Sequence, residues 1–178
     1  MTEKWKNDSI YHLYSEADKG NGYYFQLRNF RVDSSVLTSV HLAYLKGTAG
    51  DRVRKALTVP LSRDGFRIAV RGSASGTGDP KRNETLARQR AHVLAQYLRN
   101  DVGITSPIDE MLYIWNDPGN KAMKENAALY SKYHIKATSA NLTNGPIKPE
   151  AGAEDSNERM VECICGFSPG FDRFSHFG

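Results

Sequence analysis

The sequence is poor in cysteine and has no long apolar run, and each absence excludes a class of protein. Two cysteines among 178 residues exclude a small scaffold that is held together by disulfides. No apolar run approaches the roughly 18 residues of a membrane-spanning helix, so we expect no membrane insertion. Residues 1–22 are polar and lack the apolar segment of a secretory signal. We therefore expect a chain that is made in the cytoplasm and either stays there or is exported or assembled into an extracellular or cell-envelope particle.

The two cysteines, Cys163 and Cys165, stand two positions apart in a stretch that has the pattern of a strand. Side chains at this spacing share one face of a strand, and parallel Cβ vectors are a poor geometry for a disulfide between them. A metal site would need further ligands, and the sequence has no second cluster of cysteine and histidine. We predict two buried thiols, no bound metal and no cofactor.

Charge and histidine placement argue against nucleic-acid binding and against catalysis. The formal net charge is +4, but no run of five or more Lys and Arg is present. The five histidines are scattered, and the sequence contains no H-E-x-x-H, no G-x-S-x-G and no paired-carboxylate motif. We expect a protein that is not an enzyme, does not bind nucleic acid and mildly favours anionic partners.

Hydrophobic periodicity predicts one α/β layer with the order strand, helix, strand, helix, strand, strand. The predicted strands cover residues 23–30, 66–71, 111–115 and 160–166. The predicted helices cover residues 36–44, 52–61 and 80–100, with Gly47 and Gly50 between the first two and Asp33-Ser34-Ser35 as the first cap. Before this layer we expect an arm at 1–22 that docks as a short helix. A polar insertion is expected at about 116–157, with a helix at 121–133 and a loop at 143–153. A tail at 168–178 follows the last strand.

The helix predicted at 80–100 carries a charge on its apolar face. One ridge at helical spacing consists of Asn83, Leu86, Arg90, Val93 and Tyr97, and the next consists of Ala87, Ala91, Leu94 and Leu98. A guanidinium on this stripe needs a carboxylate or several carbonyls, because an unpaired buried charge is costly. The helix alone leaves two alternatives for Arg90: an internal structural partner, or the carboxylate of a ligand, which arginine recognises well.

The glycine- and serine-rich loop at 72–78 leads directly into this helix. Backbone N–H groups at a helix N-terminus attract anions, and three glycines would let a ligand approach the backbone closely. The spacing fits neither a P-loop nor a dinucleotide fingerprint. A plain connecting turn is the alternative.

These residues carry a resemblance to a known family. The stretch 68–98, IAVRGSASGTGDPKRNETLARQRAHVLAQYL, resembles the core of the OmpA-like domain of peptidoglycan-associated proteins. A weaker likeness at Asn29-Phe30, Asp33-Ser34 and 158–162 extends it over roughly residues 23–167. The positions that match the family pattern without a gap are Gly72, Gly78, Asn83, Leu86, Arg90, Ala91, Tyr97 and Leu98.

The resemblance implies an α+β fold of βαβαββ type, a two-layer sandwich with one mixed sheet and helices on one face. It also implies a ligand, the diaminopimelate of the peptidoglycan stem peptide, whose ammonium and carboxylate the family holds with a loop Asp and a helix Arg. The Arg corresponds to Arg90, but Ser75 stands at the position of the Asp, and Ser73 and Ala74 replace the usual His/Tyr and Thr/Ser. A neutral hydroxyl is a weaker partner for an ammonium than a carboxylate, so we expect binding to be weakened, redirected or lost. The predicted ligand-binding residues are Ser73, Ser75, Thr77, Asn83, Leu86, Arg90 and Arg159.

Two functions stay open. The first is a cell-wall module that binds the peptidoglycan stem peptide, as the survival of Arg90 and of the glycine-rich loop indicates. The second is a structural or adaptor protein of a phage tail or contractile injection apparatus, which would use the fold to dock on another protein of a bacterial assembly. The replacement at Ser75 and the insertion at 116–157 favour the second.

Overall fold

One six-stranded mixed sheet organises the chain in a computed structural model. The structure describes residues 2–6, 9–15, 23–58, 68–76, 78–115, 146 and 158–165. The helix predicted at 121–133, the tail at 168–178, most of the insertion at 116–157 and Thr77 lie outside these residues.

The strands of the sheet are, in chain order, β1 Thr2–Lys6, β2 Ile10–Ser15, β3 Tyr23–Leu27, β4 Ile68–Ala74, β5 Ile108–Ile114 and β6 Met160–Cys165. Their order across the sheet is β1-β2-β3-β6-β4-β5. Strands β4 and β5 are parallel, and the other neighbouring pairs are antiparallel. A parallel pair needs a crossover connection, and the helix between β4 and β5 supplies it. The predicted α+β class with one mixed sheet is confirmed.

The prediction of a short helix within residues 1–22 is wrong. Strands β1 and β2 are antiparallel partners, and β2 continues the sheet on the free edge of β3. The run Ile10–Tyr14 is rich in aromatic and β-branched residues, which fit a pleated surface better than a helix. The unpaired backbone groups of an edge strand also offer a template for such a segment.

The first helical region forms a continuous path with a wider turn in its middle. Helix α1, Ser39–Tyr44, passes through a π-helical turn at Leu45–Ala49 into helix α2, Gly50–Thr58. Gly47 therefore lies within the π-helical turn and does not end the helix as the pattern predicted.

The predicted cap of α1 at Asp33-Ser34-Ser35 is also wrong. Thr38 is the N-cap, and its Oγ1 accepts a hydrogen bond from His41 N at 3.2 Å. The Nδ1 of His41 accepts a hydrogen bond from Thr38 N at 3.1 Å, which completes a capping box with histidine in the usual place of Glu or Gln. The helix starts later than predicted because this capping box sets its N-terminus at Thr38.

Helix α3, Pro80–Tyr97, confirms the prediction from its two apolar ridges. Asp79 is the N-cap and Pro80 occupies the first turn. A π-helical turn at Leu98–Val102 follows, and the chain leaves the helix through Gly103 in the left-handed region at φ 84°. The residues that α3 buries include Leu86, Ala87, Arg90, Ala91, Leu94 and Ala95.

Strand β4 is longer than predicted and includes Gly72 and Ser73, which the sequence placed in a loop. A Cβ added at Gly72 would overlap the carbonyl oxygen of Ala87 and lie 2.7 Å from Ala91 N. Gly72 therefore lets the backbone of α3 pack directly on β4. The close approach that we expected for a ligand is made by the protein itself.

The apolar core lies between the helices and one face of the sheet, where Phe25, Val70 and Leu94 contribute fully buried side chains. Cys163 and Cys165 are free thiols buried in this core, which confirms their prediction. Burial raises the pKa of the Cys163 thiol well above its usual value. No helix in the described part of the chain is long and apolar enough to cross a membrane.

The opposite face of the sheet carries a buried polar network. Arg71 of β4 forms an ion pair with Glu162 of β6, and both side chains are 1% exposed. Glu162 also accepts a hydrogen bond from Tyr24 of β3, whose hydroxyl accepts one from Gln26 Nε2 at 2.8 Å. Because both buried charges have an opposite partner, the network avoids the cost of an isolated ion.

We expect Gly72→Ala to lower the free energy of unfolding by about 3 kcal/mol, because the added methyl would overpack a backbone contact that cannot yield locally. Gly47→Ala is the matched control, since a Cβ at Gly47 would meet nothing within 4 Å. The control should be neutral or more stable by about 0.5–1 kcal/mol. Urea unfolding followed by circular dichroism measures both, and equal stability of the two variants would contradict the packing described for α3.

We expect stability to fall as the pH drops below about 6.5, in part through His41. Burial lowers the pKa of His41, and its Nδ1 accepts a backbone N–H, so the folded protein holds the neutral ring. The unfolded chain then binds the proton first, and stability is complete above the unfolded pKa and is lost below it. One proton accounts for at most about 1.4 kcal/mol between pH 7.5 and 5.5. Urea titrations of wild type and His41→Gln check this, and an undiminished pH dependence in the variant would refute the role of His41.

Candidate ligand-binding site

A pocket of about 330 Å³ opens where the end of β4 meets the start of α3. The segment after β3 and the residue that precedes β6 complete its wall. Of the predicted site residues, the pocket brings together Ser75, Asn83, Leu86, Arg90 and Arg159. The other lining residues are Val32, Asp33, Ala74, Gly78, Asp79 and Arg82.

Arg90 is the buried cation of this pocket, with 0% of the residue exposed. Its Nε donates to the carbonyl of Ser34 at 2.9 Å and its Nη1 donates to the carbonyl of Ser73 at 3.0 Å. The guanidinium carbon lies 5.2 Å from the centre of the Phe30 ring, which adds a cation–π contact. The internal partners of Arg90 are thus main-chain carbonyls, and among the described residues Arg90 forms no ion pair with a carboxylate.

The third nitrogen of the same guanidinium has no acceptor in the described part of the chain. Nη2 of Arg90 is buried and has no hydrogen-bond partner among the described residues. A buried donor without a partner costs of the order of 1–3 kcal/mol, so an acceptor at this position would be stabilising.

A second arginine raises the positive potential beside Arg90. Arg159 Nε donates to the carbonyl of Phe30 at 2.6 Å, and Phe30 N donates back to the carbonyl of Arg159 at 3.1 Å. Burial and, to a smaller extent, the nearby charge of Arg159 together lower the pKa of Arg90 to about 10. Arg90 stays charged at neutral pH, and the two cations together favour an anion.

The carboxylates at the pocket already bind protein groups. Asp33 lies at φ 59° and accepts a hydrogen bond from Arg82 Nε at 2.7 Å across the pocket mouth. This bond to Arg82 lowers the pKa of Asp33. Asp79 accepts a hydrogen bond from Lys81 N at 3.2 Å as the cap of α3. Both aspartates line the pocket, although the sequence had placed Asp33 in a helix cap only.

Ser73 does not line the pocket, although the resemblance placed it in the site. It is fully buried in β4, and its Oγ donates to the carbonyl of Glu158 at 2.8 Å. Ser75 is half-buried and lines the pocket, and Gly76 N donates to Glu158 Oε1 at 3.4 Å behind it. Thr77 lies outside the described residues.

Arg82 is a pocket residue that the sequence reasoning missed. It stands four residues before Leu86 and eight before Arg90, so the three share one line along α3. This spacing was the signal that could have identified it.

We expect Arg90→Ala to lower the free energy of unfolding by about 3 kcal/mol, because the carbonyls of Ser73 and Ser34 would lose a charged donor. Arg82→Ala is the control, since it removes only a half-exposed ion pair with Asp33, and it should cost less than about 1 kcal/mol. Chemical denaturation of the three proteins tests this. An Arg90→Ala protein as stable as wild type would show that the carbonyl contacts contribute nothing to folding.

Comparisons with known proteins show the fold and no more. No family model matches the sequence, and no curated protein matches it. Among solved structures, the periplasmic domain of MotB from Helicobacter pylori (residues 90–256) is similar with a TM-score of 0.53 and 15% identity, over 99% of this chain and 91% of that chain. A further periplasmic domain of MotB (residues 64–256) gives a TM-score of 0.52 and 15% identity, over 99% and 78%. The chain shares the fold of these periplasmic domains, which is the predicted OmpA-like architecture.

Proposed function

We propose that the protein is a non-catalytic binding module that recognises bacterial peptidoglycan through the pocket at the start of α3. The observation that carries the proposal is the Nη2 of buried Arg90, which has no hydrogen-bond partner among the described residues. The rest of the same guanidinium is held by main-chain carbonyls such as that of Ser34. The resemblance of residues 68–98 to the OmpA-like domain of peptidoglycan-associated proteins supports the same class of function.

The finer proposal is that the pocket holds a carboxylate of the stem peptide. Arg90 and Arg159 supply the positive charge for it, and Leu86, which is 5% exposed, supplies an apolar wall for an aliphatic side chain. Asn83 adds a neutral polar group in the first turns of the same helix. Three arginines and two engaged carboxylates are a set that holds an anion, and such a set is poorly suited to proton transfer at neutral pH.

An adaptor function in a phage tail or contractile injection apparatus is the second candidate. Three large apolar side chains are exposed in the segment beside the pocket, namely Val32, Val36 and Val40, at 76%, 72% and 45%. Val32 also lines the pocket, so a protein partner that docks on these valines would cover the pocket mouth. Double replacement Val36→Ser with Val40→Ser separates the two candidates, because neither valine lines the pocket, so the variant should keep peptidoglycan binding and lose such docking.

We expect the purified protein to sediment with peptidoglycan sacculi at low salt and to lose most of this binding in an Arg159→Gln variant, because one of the two adjacent cations is removed. Arg88→Gln is the matched control, since Arg88 lies on the exposed face of α3 and pairs with Glu84. Quantifying bound and free protein after centrifugation measures the effect, and circular dichroism confirms that the variants are folded. Wild-type protein that stays in the supernatant would refute the peptidoglycan proposal.

A further inference from the structure

We propose that this pocket recognises a ligand carboxylate and does not select for an ammonium group beside it. The inference rests on the proposed function and narrows its ligand. It predicts that the protein binds stem peptides whose side chain ends in a carboxylate, whether or not the carbon that bears this carboxylate also carries an amino group.

The first argument is the surplus of hydrogen-bond donors at the pocket. Nη2 of Arg90 has no acceptor among the described residues. Arg159 and Arg82 line the same pocket. Arg159 donates to the carbonyl of Phe30, and Arg82 donates to the carboxylate and the carbonyl of Asp33. An anion is the ligand that satisfies such a set, because charge-assisted hydrogen bonds to guanidinium groups are strong and directional.

The second argument is that each acidic group near the pocket is already occupied. Asp33 is paired with Arg82 at 2.7 Å, and Asp79 accepts the N–H of Lys81 at 3.2 Å. Glu158 accepts the N–H of Gly76 at 3.4 Å and is 5% exposed, and it does not line the pocket. An ammonium that entered the pocket would have to share Asp33 or Asp79 with these protein partners, so the described residues offer it no carboxylate of its own.

The third argument is the residue at the end of β4. Ser75 lines the pocket next to Ala74 and offers a hydroxyl, which carries no charge. A hydroxyl can accept a hydrogen bond from an ammonium and can equally donate one to a carboxylate. Ser75 is therefore compatible with both groups and discriminates little between them.

Ligand entry requires a local movement. Nη2 of Arg90 is shielded from solvent in this conformation, whereas Arg82 at the mouth has a side chain that is 45% exposed. An anion that enters from solvent therefore meets Arg82 and the half-buried Arg159 before it reaches Arg90.

The test uses three stem peptides that differ only in the diamino acid. The first peptide contains meso-diaminopimelate. The second contains 2-aminopimelate, which keeps the terminal carboxylate and lacks the amino group beside it. The third contains lysine, which keeps an ammonium and lacks the carboxylate. Isothermal titration calorimetry at low salt gives the affinities. We expect the first two peptides to bind wild type within about threefold of each other, and the lysine peptide to bind at least about tenfold more weakly, as the loss of a charge-assisted bond predicts.

Ser75→Asp and Ser75→Asn form a matched pair of variants, since they have similar size and differ in charge. Ser75→Asp should bind the diaminopimelate peptide at least about tenfold more tightly than the aminopimelate peptide, and Ser75→Asn should keep the ratio of wild type. A wild-type preference of tenfold or more for diaminopimelate over aminopimelate would overturn this inference and leave the peptidoglycan proposal standing. Absence of binding of all three peptides to wild type would overturn the inference together with the stem-peptide proposal.

Discussion

The direct contact between α3 and β4 at Gly72 is the constraint on which the site depends. Because residue 72 has no side chain, the backbone of α3 at Ala87 and Ala91 rests on the strand. Arg90, on the turn between these alanines, then lies within 3.0 Å of the carbonyl of Ser73, the next residue of the strand. A side chain at position 72 would push α3 away and move the guanidinium off this carbonyl. The geometry of the pocket thus begins with a glycine that touches no ligand.

From this contact the site is built outward by main-chain hydrogen bonds. Arg90 ties α3 to β4 through Ser73 and to the segment after β3 through Ser34. Arg159 ties the start of β6 to that same segment through both of its bonds with Phe30. The walls of the pocket are therefore fixed by carbonyl acceptors, which carry no net charge. In the part of the chain that the structure describes, neither arginine forms an ion pair with a carboxylate.

The sequence was most informative about α3. The ridges of this helix and the anomaly of Arg90 both follow from spacing within one helix, and the structure confirms the helix and the burial of Arg90. The partners of Arg90 could not be predicted, because Ser73 and Ser34 lie 17 and 56 residues away in the chain. The same holds for the N-terminal strands, since an aromatic stretch becomes a strand only when a sheet edge is present to pair with it. Which edge is free is a property of the whole fold.

The two alternatives that the sequence left for Arg90, structural partner or ligand partner, are compatible in this geometry. A guanidinium has five N–H donors in a rigid planar fork, and the two carbonyls engage Nε and Nη1. These bonds fix the plane of the fork, and with it the direction of the remaining Nη2 donors, before any ligand arrives. A ligand then loses less free energy to the ordering of the side chain, which is the usual advantage of a preorganised site. An anion bound there would also offset the repulsion between Arg90 and Arg159, so binding would stabilise the fold by the same interaction that gives it affinity.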